Sequence, residues 1–494
     1  MTELVWRRGV TMRTVDGTTL VADLWHLAVG GPFPTLVVRT AYGREVASAI
    51  TAPHPSVFAR AGYLVVTQDV RGRGESSGAF DPFTHEAADG AATVEWAAEL
   101  AESNGNVGMY GFSYQGAAQL LAASMQPRAL RAIAPAMCSA DPDDGFLRTG
   151  GAFRLGFAAS WAAQLAGTDG FLGDLAATRL AEHCAAGRVD AWPLWDAWRV
   201  GQCGPRVDVA RLDVPALFTI GWFDTFAAAG WRDLQRYGGT ASVLGAPWCH
   251  IPWTPDRDVA TGAHLAFFDQ HVARRPGTIE PPALRSLACN AVVWRTWDTF
   301  PSTEEIAFGL CSQRDPSTRF GDGVLVAGGV ASGQSAWVVH QPTVPVPAVG
   351  GAYIDGAGTV GRVDQRLVQD RSDVLCFTSE PLREPLEIFG SATLSTFVRS
   401  AAPTDDVCVT LCELRGDGAT VNLAAGFARG KGAFVVSLSP VHAMVDAGTR
   451  LRVAIAPSAY PEIDVNVSAG ATTHVTRELV VAASALRVPV VAVG

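Results

Sequence analysis

Between residues 35 and 137 the apolar positions follow two alternating periods. TLVVRT (35–40), YLVVTQD (63–69), NVGMYGFS (106–113) and ALRAIAPAM (129–137) are short apolar runs, and each reads as a buried strand. EAADGAATVEWAAELAES (86–103) and AAQLLAASM (117–125) lie between them with helical spacing. Strands alternating with helices predict a mostly parallel sheet covered on both faces. The pattern then changes. FRLGFAASWAAQLAG (153–167), LGDLAATRLAEHCAAG (172–187) and WPLWDAWRVGQCG (192–204) are helical patches with no convincing strand between them. VPALFTIGW (214–222) and ASVLGAP (241–247) resume the buried-strand pattern, so a helical insertion interrupts the α/β domain.

Beyond about residue 285 short alternating runs are separated by Gly, Pro and Asp turns. AVVWRTW, AWVVHQ, LEIFGSATLSTFVRS, CVTLCELRGDG, AFVVSLS, RLRVAIA and ELVVAA have no amphipathic helices between them, which predicts an antiparallel sandwich or barrel. Segment 313–373, rich in Gly, Val and Pro, reads mainly as long surface loops between strands. The predicted organisation is an α/β domain over 1–138 and 208–285, a helical cap over 139–207, and a β-sandwich over 286–494.

Length adds little to this, since 494 residues suffice for two or three cores. Composition excludes more. The 38 basic residues are 37 arginines and one lysine, Lys431, in a G-K-G turn. Schiff-base, lysine-base and P-loop chemistries would all have to run through that residue. A formal charge of -10 without any arginine-rich run argues against a nucleic-acid partner. The first twenty residues lack the apolar stretch of a signal peptide, and no window of about 18 apolar residues marks a membrane span. A soluble cytoplasmic protein is the expectation, with no membrane partner. Nine cysteines without a C-x-x-C pair read as free thiols, and Cys408 and Cys412 would share one face of a strand. Histidine and carboxylate spacing offers no compact metal cluster, so neither metal nor cofactor is called for.

The sharpest local signal is Gly111-Phe112-Ser113-Tyr114-Gln115-Gly116, which contains a G-x-S-x-G match directly after one strand and before one helix. A serine there is forced onto a tight turn with Oγ exposed above the sheet edge, and the following helix aims its N-terminal N–H groups at the site. Such a serine needs a base, and the base needs an orienting acid, each expected just beyond a later strand. GWFDTF places Asp224 past VPALFTI, and GAPWCHIPW places His250 past ASVLGAP. Asp213 precedes its strand and competes poorly. Among other histidines, His54 and His85 precede the serine, with His85 beside the helix opened by Glu86. His264 and His271 have helical spacing, His183 lies in the insertion, and His26, His340, His442 and His474 are scattered. The Tyr114 backbone N–H suits one oxyanion donor. RTAYGR offers Tyr42 near the place of a second, either as a phenol donor or as a residue that packs the loop.

RTAYGR, QDVRGRGESSG, EAADGAATVEW, NGNVGMYGFSYQG, GWFDTF and GAPWCH, followed by FGSATLSTFVRSAAPTDDVCVTLCEL and LRVAIAPSAYPEIDVNVSAG, together resemble the family of cocaine esterase and X-Pro dipeptidyl-peptidases. The resemblance spans almost the whole chain in order. It implies an α/β-hydrolase domain with an inserted helical cap and a C-terminal jelly-roll sandwich. It also implies Ser113 as nucleophile, Asp224 and His250 as its partners, and an oxyanion hole from the Tyr42 hydroxyl and the Tyr114 amide. The cap, at about 70 residues, is shorter than is usual in the family. Trp161 and Phe226 are candidate walls of the acyl pocket. Cys249 stands before the histidine where the family often has serine, and is either packing or an oxidation-sensitive thiol.

The expected chemistry is hydrolysis of small carboxylic esters through an acyl-enzyme. X-Pro or aminoacyl peptide hydrolysis and acyl transfer are alternatives on the same residues, and a silent sugar- or peptide-binding protein ranks last. The expected partner is a small ester or amide, and a homodimer stays open.

Overall fold

The computed structural model describes residues 3–45, 53–165, 197–201, 203–250, 256–278, 281–352 and 360–492. The N-terminal sheet is built from β1 (Leu4–Arg13), β2 (Thr19–Leu27), β3 (Phe33–Thr40), β4 (Leu64–Asp69), β5 (Ser103–Phe112) and β6 (Leu130–Ala136). After a two-stranded hairpin, β7 (Arg148–Thr149) with β8 (Ala152–Phe153), the sheet is completed by β9 (Ala216–Phe223), β10 (Ala241–Cys249), β11 (Leu284–Ser286) and β12 (Arg295–Trp297). The spatial order is β1-β2-β4-β3-β5-β6-β9-β10-β11-β12. Pairing is parallel from β4 through β11 and antiparallel at both edges.

The helices of this domain are α1 (Pro55–Arg60), α2 (Glu86–Ala98), α3 (Tyr114–Ser124), α5 (Ala227–Arg236) and α6 (Arg257–His271), with α4 (Leu155–Leu165) in the insertion. Alternation along the strands sorts the core onto two faces. Val37, Val66, Met109 and Ile133 pack with Val94 of α2 and Leu120 and Leu121 of α3. Leu36, Val38, Val65 and Tyr110 pack with Phe58 of α1 and Phe267 and Phe268 of α6. The near-continuous apolar runs reflect this two-sided burial; every residue of β4 and of β9 is buried.

Three features differ from the sequence reading. Strands β1 and β2 precede the first recognised run; six of the ten residues of β1 are exposed, so its apolar signal is diluted. In AVVWRTW only Arg295–Trp297 is strand, and it pairs with β11, so the N-terminal sheet continues beyond residue 285. Within 313–373 the run AWVVHQ is the strand Ala336–His340, as read, but Thr318–Ala327 is also a strand where surface loops were expected. The outward face of Thr318–Ala327 carries apolar residues such as Phe320, Val324 and Val326, which blurs the period-2 signal. The helical patch at 172–187 and residues 192–196 and 202 of the next one lie outside the described residues.

From Thr303 onward fourteen strands among the described residues form one hydrogen-bonded network folded into a β-sandwich. Pairing is antiparallel except where Thr318–Ala327 meets Leu375–Ser379 and Thr303–Ser312 meets Ser332–Gly333. Cys408 and Cys412 are buried in the strand Asp405–Leu414, and the eight described cysteines are free. The sandwich meets the hydrolase domain partly through a buried chain: Ser286 Oγ lies 2.7 Å from His442 Nδ1, and His442 Nε2 lies 3.0 Å from Glu387 Oε1. Ser286 and His442 are fully buried, which makes this a clasp between domains rather than a site open to substrate. Among the described residues no helix is long and apolar enough to cross a membrane.

The single lysine has a structural task in this sandwich. Lys431 Nζ donates to the carbonyls of Ser400 (2.8 Å) and Ala402 (2.6 Å) and to Ser400 Oγ (2.9 Å), and it stands 3.2 Å from the buried Asp405. Lys431→Met removes the donor from these acceptors while leaving Asp405 paired with Arg477 at 3.0 Å. It is expected to cost about 1–2 kcal/mol in denaturant unfolding, because the ammonium is partly exposed, with no change in hydrolytic rate.

Candidate active site

The end of β5 and the start of α3 are joined through Ser113, whose backbone sits at φ 59°, ψ -123°. That left-handed conformation is unfavourable for an L residue, and the surroundings hold it. The Ser113 N–H donates to Ala136 O at 2.9 Å, while its carbonyl accepts the N–H groups of Gly116 (2.9 Å) and Ala117 (3.0 Å). Both flanking glycines are required by space. A Cβ on Gly111, at φ +145°, would come within 2.5 Å of Gln115 Cβ, and one on Gly116 within 2.7 Å of Cys138 Sγ. Gln119 fixes the neighbouring backbone by donating to Gly111 O and accepting from the Ala134 N–H.

His250 immediately follows β10, and its Nε2 lies 3.1 Å from Ser113 Oγ. Its Nδ1 lies 2.5 Å from Asp224 Oδ2. Asp224 immediately follows β9, and its other oxygen accepts the Phe226 N–H at 2.7 Å. Gly221 allows this turn: a Cβ there would come within 2.5 Å of Trp248 O. The three side chains thus form one hydrogen-bonded chain across the carboxyl ends of three parallel strands, and all three are buried. The imidazole is flanked by the rings of Phe112, at 4.5 Å between centroids, and Phe226, at 5.0 Å edge-on.

Tyr42 lies just past β3, two residues beyond Thr40. Its hydroxyl accepts a hydrogen bond from Trp161 Nε1 of α4 at 3.0 Å, leaving the phenolic O–H free to donate elsewhere. Burial raises its pKa above the usual tyrosine value, against smaller lowering effects of the Trp161 bond and the Arg73 charge, so the phenol stays protonated. Arg73 ties this loop to the cap by donating to Ala41 O at 2.7 Å and Leu165 O at 2.9 Å. As the first residue of α3, Tyr114 presents an N–H with no acceptor inside the helix. Its side chain points away into the core and donates to Glu86 Oε1 at 2.9 Å. Burial first, and the Glu86 charge second, hold that phenol well above its ordinary pKa.

Trp161 and Phe226, read from sequence as pocket walls, are both buried in an aromatic cluster with Phe83, Phe146, Phe157 and Trp198. Trp161 stacks on Trp198 at 4.8 Å, and Phe226 contacts Phe146 at 4.2 Å. Sequence reasoning missed the buried Glu86, which pairs with Arg39 beneath the serine turn; nothing in a helix-opening glutamate announces burial. It also missed Arg154, whose contacts cross all three parts of the molecule. Among the described residues no group of three or more His, Cys, Asp or Glu could hold a metal ion.

Fold and site together define a hydrolytic enzyme of the α/β-hydrolase class with a C-terminal β-sandwich. Residues 16–252 match the family model of X-Pro dipeptidyl-peptidase (S15 family), and residues 278–486 match that of the X-Pro dipeptidyl-peptidase C-terminal non-catalytic domain. The cocaine esterase of Rhodococcus sp. (strain MB1 Bresler) is 31% identical over 469 residues, covering 84% of this chain and 81% of the relative. The chain therefore belongs to the S15 family of serine hydrolases, whose chemistry is ester or peptide hydrolysis. Solved structures share the fold. An aminopeptidase from a marine sediment Thaumarchaeota archaeon superposes with a TM-score of 0.79 at 20% identity, over 99% of this chain and 97% of its own. An α-amino acid ester hydrolase gives 0.77 at 21% identity over the same shares.

Cys249 has an intermediate exposure beside His250. Burial, reinforced by the Asp224 carboxylate, pushes its thiol up to about 12. At pH 8 the thiolate fraction is then about 10⁻⁴, too small for rapid alkylation or oxidation. Iodoacetamide at pH 8 is expected to leave turnover unchanged and Cys249 unmodified in peptide mapping. Rapid inactivation with a carbamidomethyl group on Cys249 would contradict this.

Proposed function

We propose that this enzyme hydrolyses carboxylic esters of small acids through a covalent acyl-enzyme on Ser113. The observation that carries the proposal is the continuous hydrogen-bonded chain from Asp224 through His250 to Ser113 Oγ. His250 Nε2 takes the Ser113 proton as Oγ attacks the ester carbonyl, and Asp224 holds the ring with Nδ1–H toward the carboxylate and stabilises the imidazolium. The developing oxyanion is received by the Tyr42 O–H and the Tyr114 N–H, with the N-terminus of α3 adding favourable dipole. The imidazolium then protonates the departing alkoxide. Water, activated by the same nitrogen, attacks the acyl-enzyme and releases the acid. Every step uses side chains or backbone groups of the chain itself.

Ester cleavage ranks above amide cleavage because the 31% identical relative is an esterase and an alkoxide leaves more readily than an unprotonated amide nitrogen. The aromatic cluster at the imidazole suits an apolar acyl group. A fluorophosphonate is expected to label Ser113, with labelling abolished in Ser113→Ala and kcat/KM reduced by on the order of 10⁴ or more. Tyr42→Phe is expected to lower kcat by about 10²–10³ with KM little changed, the signature of a donor used in the transition state. A panel of aryl esters, Xaa-Pro amides and aminoacyl amides ranks the substrates. Faster turnover of an Xaa-Pro amide would reverse the ester assignment, and no labelling with no ester turnover would remove it.

A further inference from the structure

Arg154 opens into α4 where cap, hydrolase domain and sandwich meet. It is 3% exposed, and its Nη2 lies 2.8 Å from Oε1 of Glu462, a sandwich residue only 4% exposed. The same guanidinium reaches the turn after β9. Nη1 donates to the Thr225 carbonyl at 2.6 Å and to Gly145 O at 3.1 Å, and Nη2 donates to Thr225 Oγ1. Its central carbon stands 5.8 Å from the Phe226 ring. Thr225 directly follows Asp224, and Phe226 both donates its N–H to Asp224 and lies edge-on to His250.

The sandwich also grips this stretch through its backbone. The Gly156 N–H donates to Pro461 O at 2.8 Å, the Asp464 N–H to Phe153 O at 2.8 Å, and the Phe153 N–H to Asp464 Oδ1 at 3.3 Å. These bonds bracket Arg154 on one side and Glu462 on the other. The interface beside the pair is not packed solid: a cavity of about 100 Å³ is lined by Arg154, Glu462, Asp224, Thr225, Val346 and Phe427. Close packing therefore cannot by itself fix the acid turn against the sandwich. A buried ion pair is in any case a weak source of stability compared with apolar packing, so its geometry is the more informative property.

We infer that Arg154 and Glu462 are a positioning pair that holds the Thr225–Phe226 turn, and with it the Asp224 carboxylate, in register with His250. The sandwich thereby helps to set the acid although none of its described residues supplies a group to the reacting atoms. This inference rests on Asp224 acting as the acid of the proposed mechanism.

Steady-state kinetics and the rate of fluorophosphonate labelling test it in Glu462→Gln and Arg154→Lys, two conservative variants chosen to fold. Ser286→Ala, which loosens the other clasp between the domains, is the control. Because displacing a catalytic group by about 1 Å costs up to about a hundredfold, both pair variants are expected to lose about ten- to hundredfold in kcat and labelling rate, with KM within about twofold. Ser286→Ala is expected to lower the melting temperature and keep kcat. The inference is overturned if the pair variants melt earlier but keep wild-type kcat, or if Ser286→Ala loses kcat to the same extent. A wild-type enzyme that neither labels nor turns over ester would instead refute the mechanism beneath it.

Discussion

A serine at the end of a parallel strand can face a histidine from the neighbouring loops only if its backbone leaves the allowed regions for an L residue. Ser113 does so, and such a conformation costs of order 1–3 kcal/mol and persists only where the surroundings leave no alternative. Much of the local architecture follows from that constraint. Gly111 and Gly116 lack side chains because none would fit, and α3 starts directly after Ser113, which leaves the Tyr114 N–H without an acceptor inside the helix. The sheet supplies the rest of the geometry. Adjacent parallel strands end side by side, so the residue following β9 comes within a hydrogen bond of the one following β10, which in turn reaches Ser113.

The Tyr42 loop, the serine turn and the acid turn are each tied down by a buried or half-buried arginine. Arg73 links the Tyr42 loop to the end of α4. Arg44 joins Asp23, Asp69 and Glu75 at the neighbouring strand ends, and Arg39 joins Gln68 to Glu86 beneath the serine turn. Arg154 does the same for the acid turn. Long loops at the carboxyl ends of strands are entropically costly to order, and a planar fork with five donors can hold two or three elements at once. The cap therefore serves the site in two ways: it covers it with aromatic rings, and through Trp161 it fixes which lone pair of the Tyr42 hydroxyl is occupied.

The legible parts of the sequence were those whose signal is local. The Gly-x-Ser-x-Gly segment, Asp224 after VPALFTI and His250 after ASVLGAP each sit within a few residues of a strand pattern, and the structure places them together. Tyr42 was open on its residues alone because a tyrosine in a loop has no local signature; the family resemblance supplied the role. Glu86, Arg154 and Glu462 were not legible at all. Their burial depends on partners 47, 71 and 308 residues away, and a charged residue on a helix start or in a loop is ordinarily solvated. The end of the hydrolase sheet was misread for a related reason. A three-residue antiparallel edge strand has the same alternation whether it pairs with one domain or the next.

The unequal use of arginine and lysine follows the layout of acceptors at several of these positions. At Arg154 the oxygens of Gly145, Thr225 and Glu462 lie on three different segments, spread around a plane that a guanidinium can span. At Lys431 the acceptors converge instead: two carbonyls, a hydroxyl and a carboxylate surround one point within 3.2 Å. A compact ammonium with three rotatable donors fits that cup, and a planar fork would leave most of its donors pointing past it. Exposed arginines such as Arg211 have no comparable reason in the structure. The distinction separates two meanings of the composition. At buried junctions the arginine is specified by geometry, and replacing it with lysine removes a bridge between elements while keeping the charge.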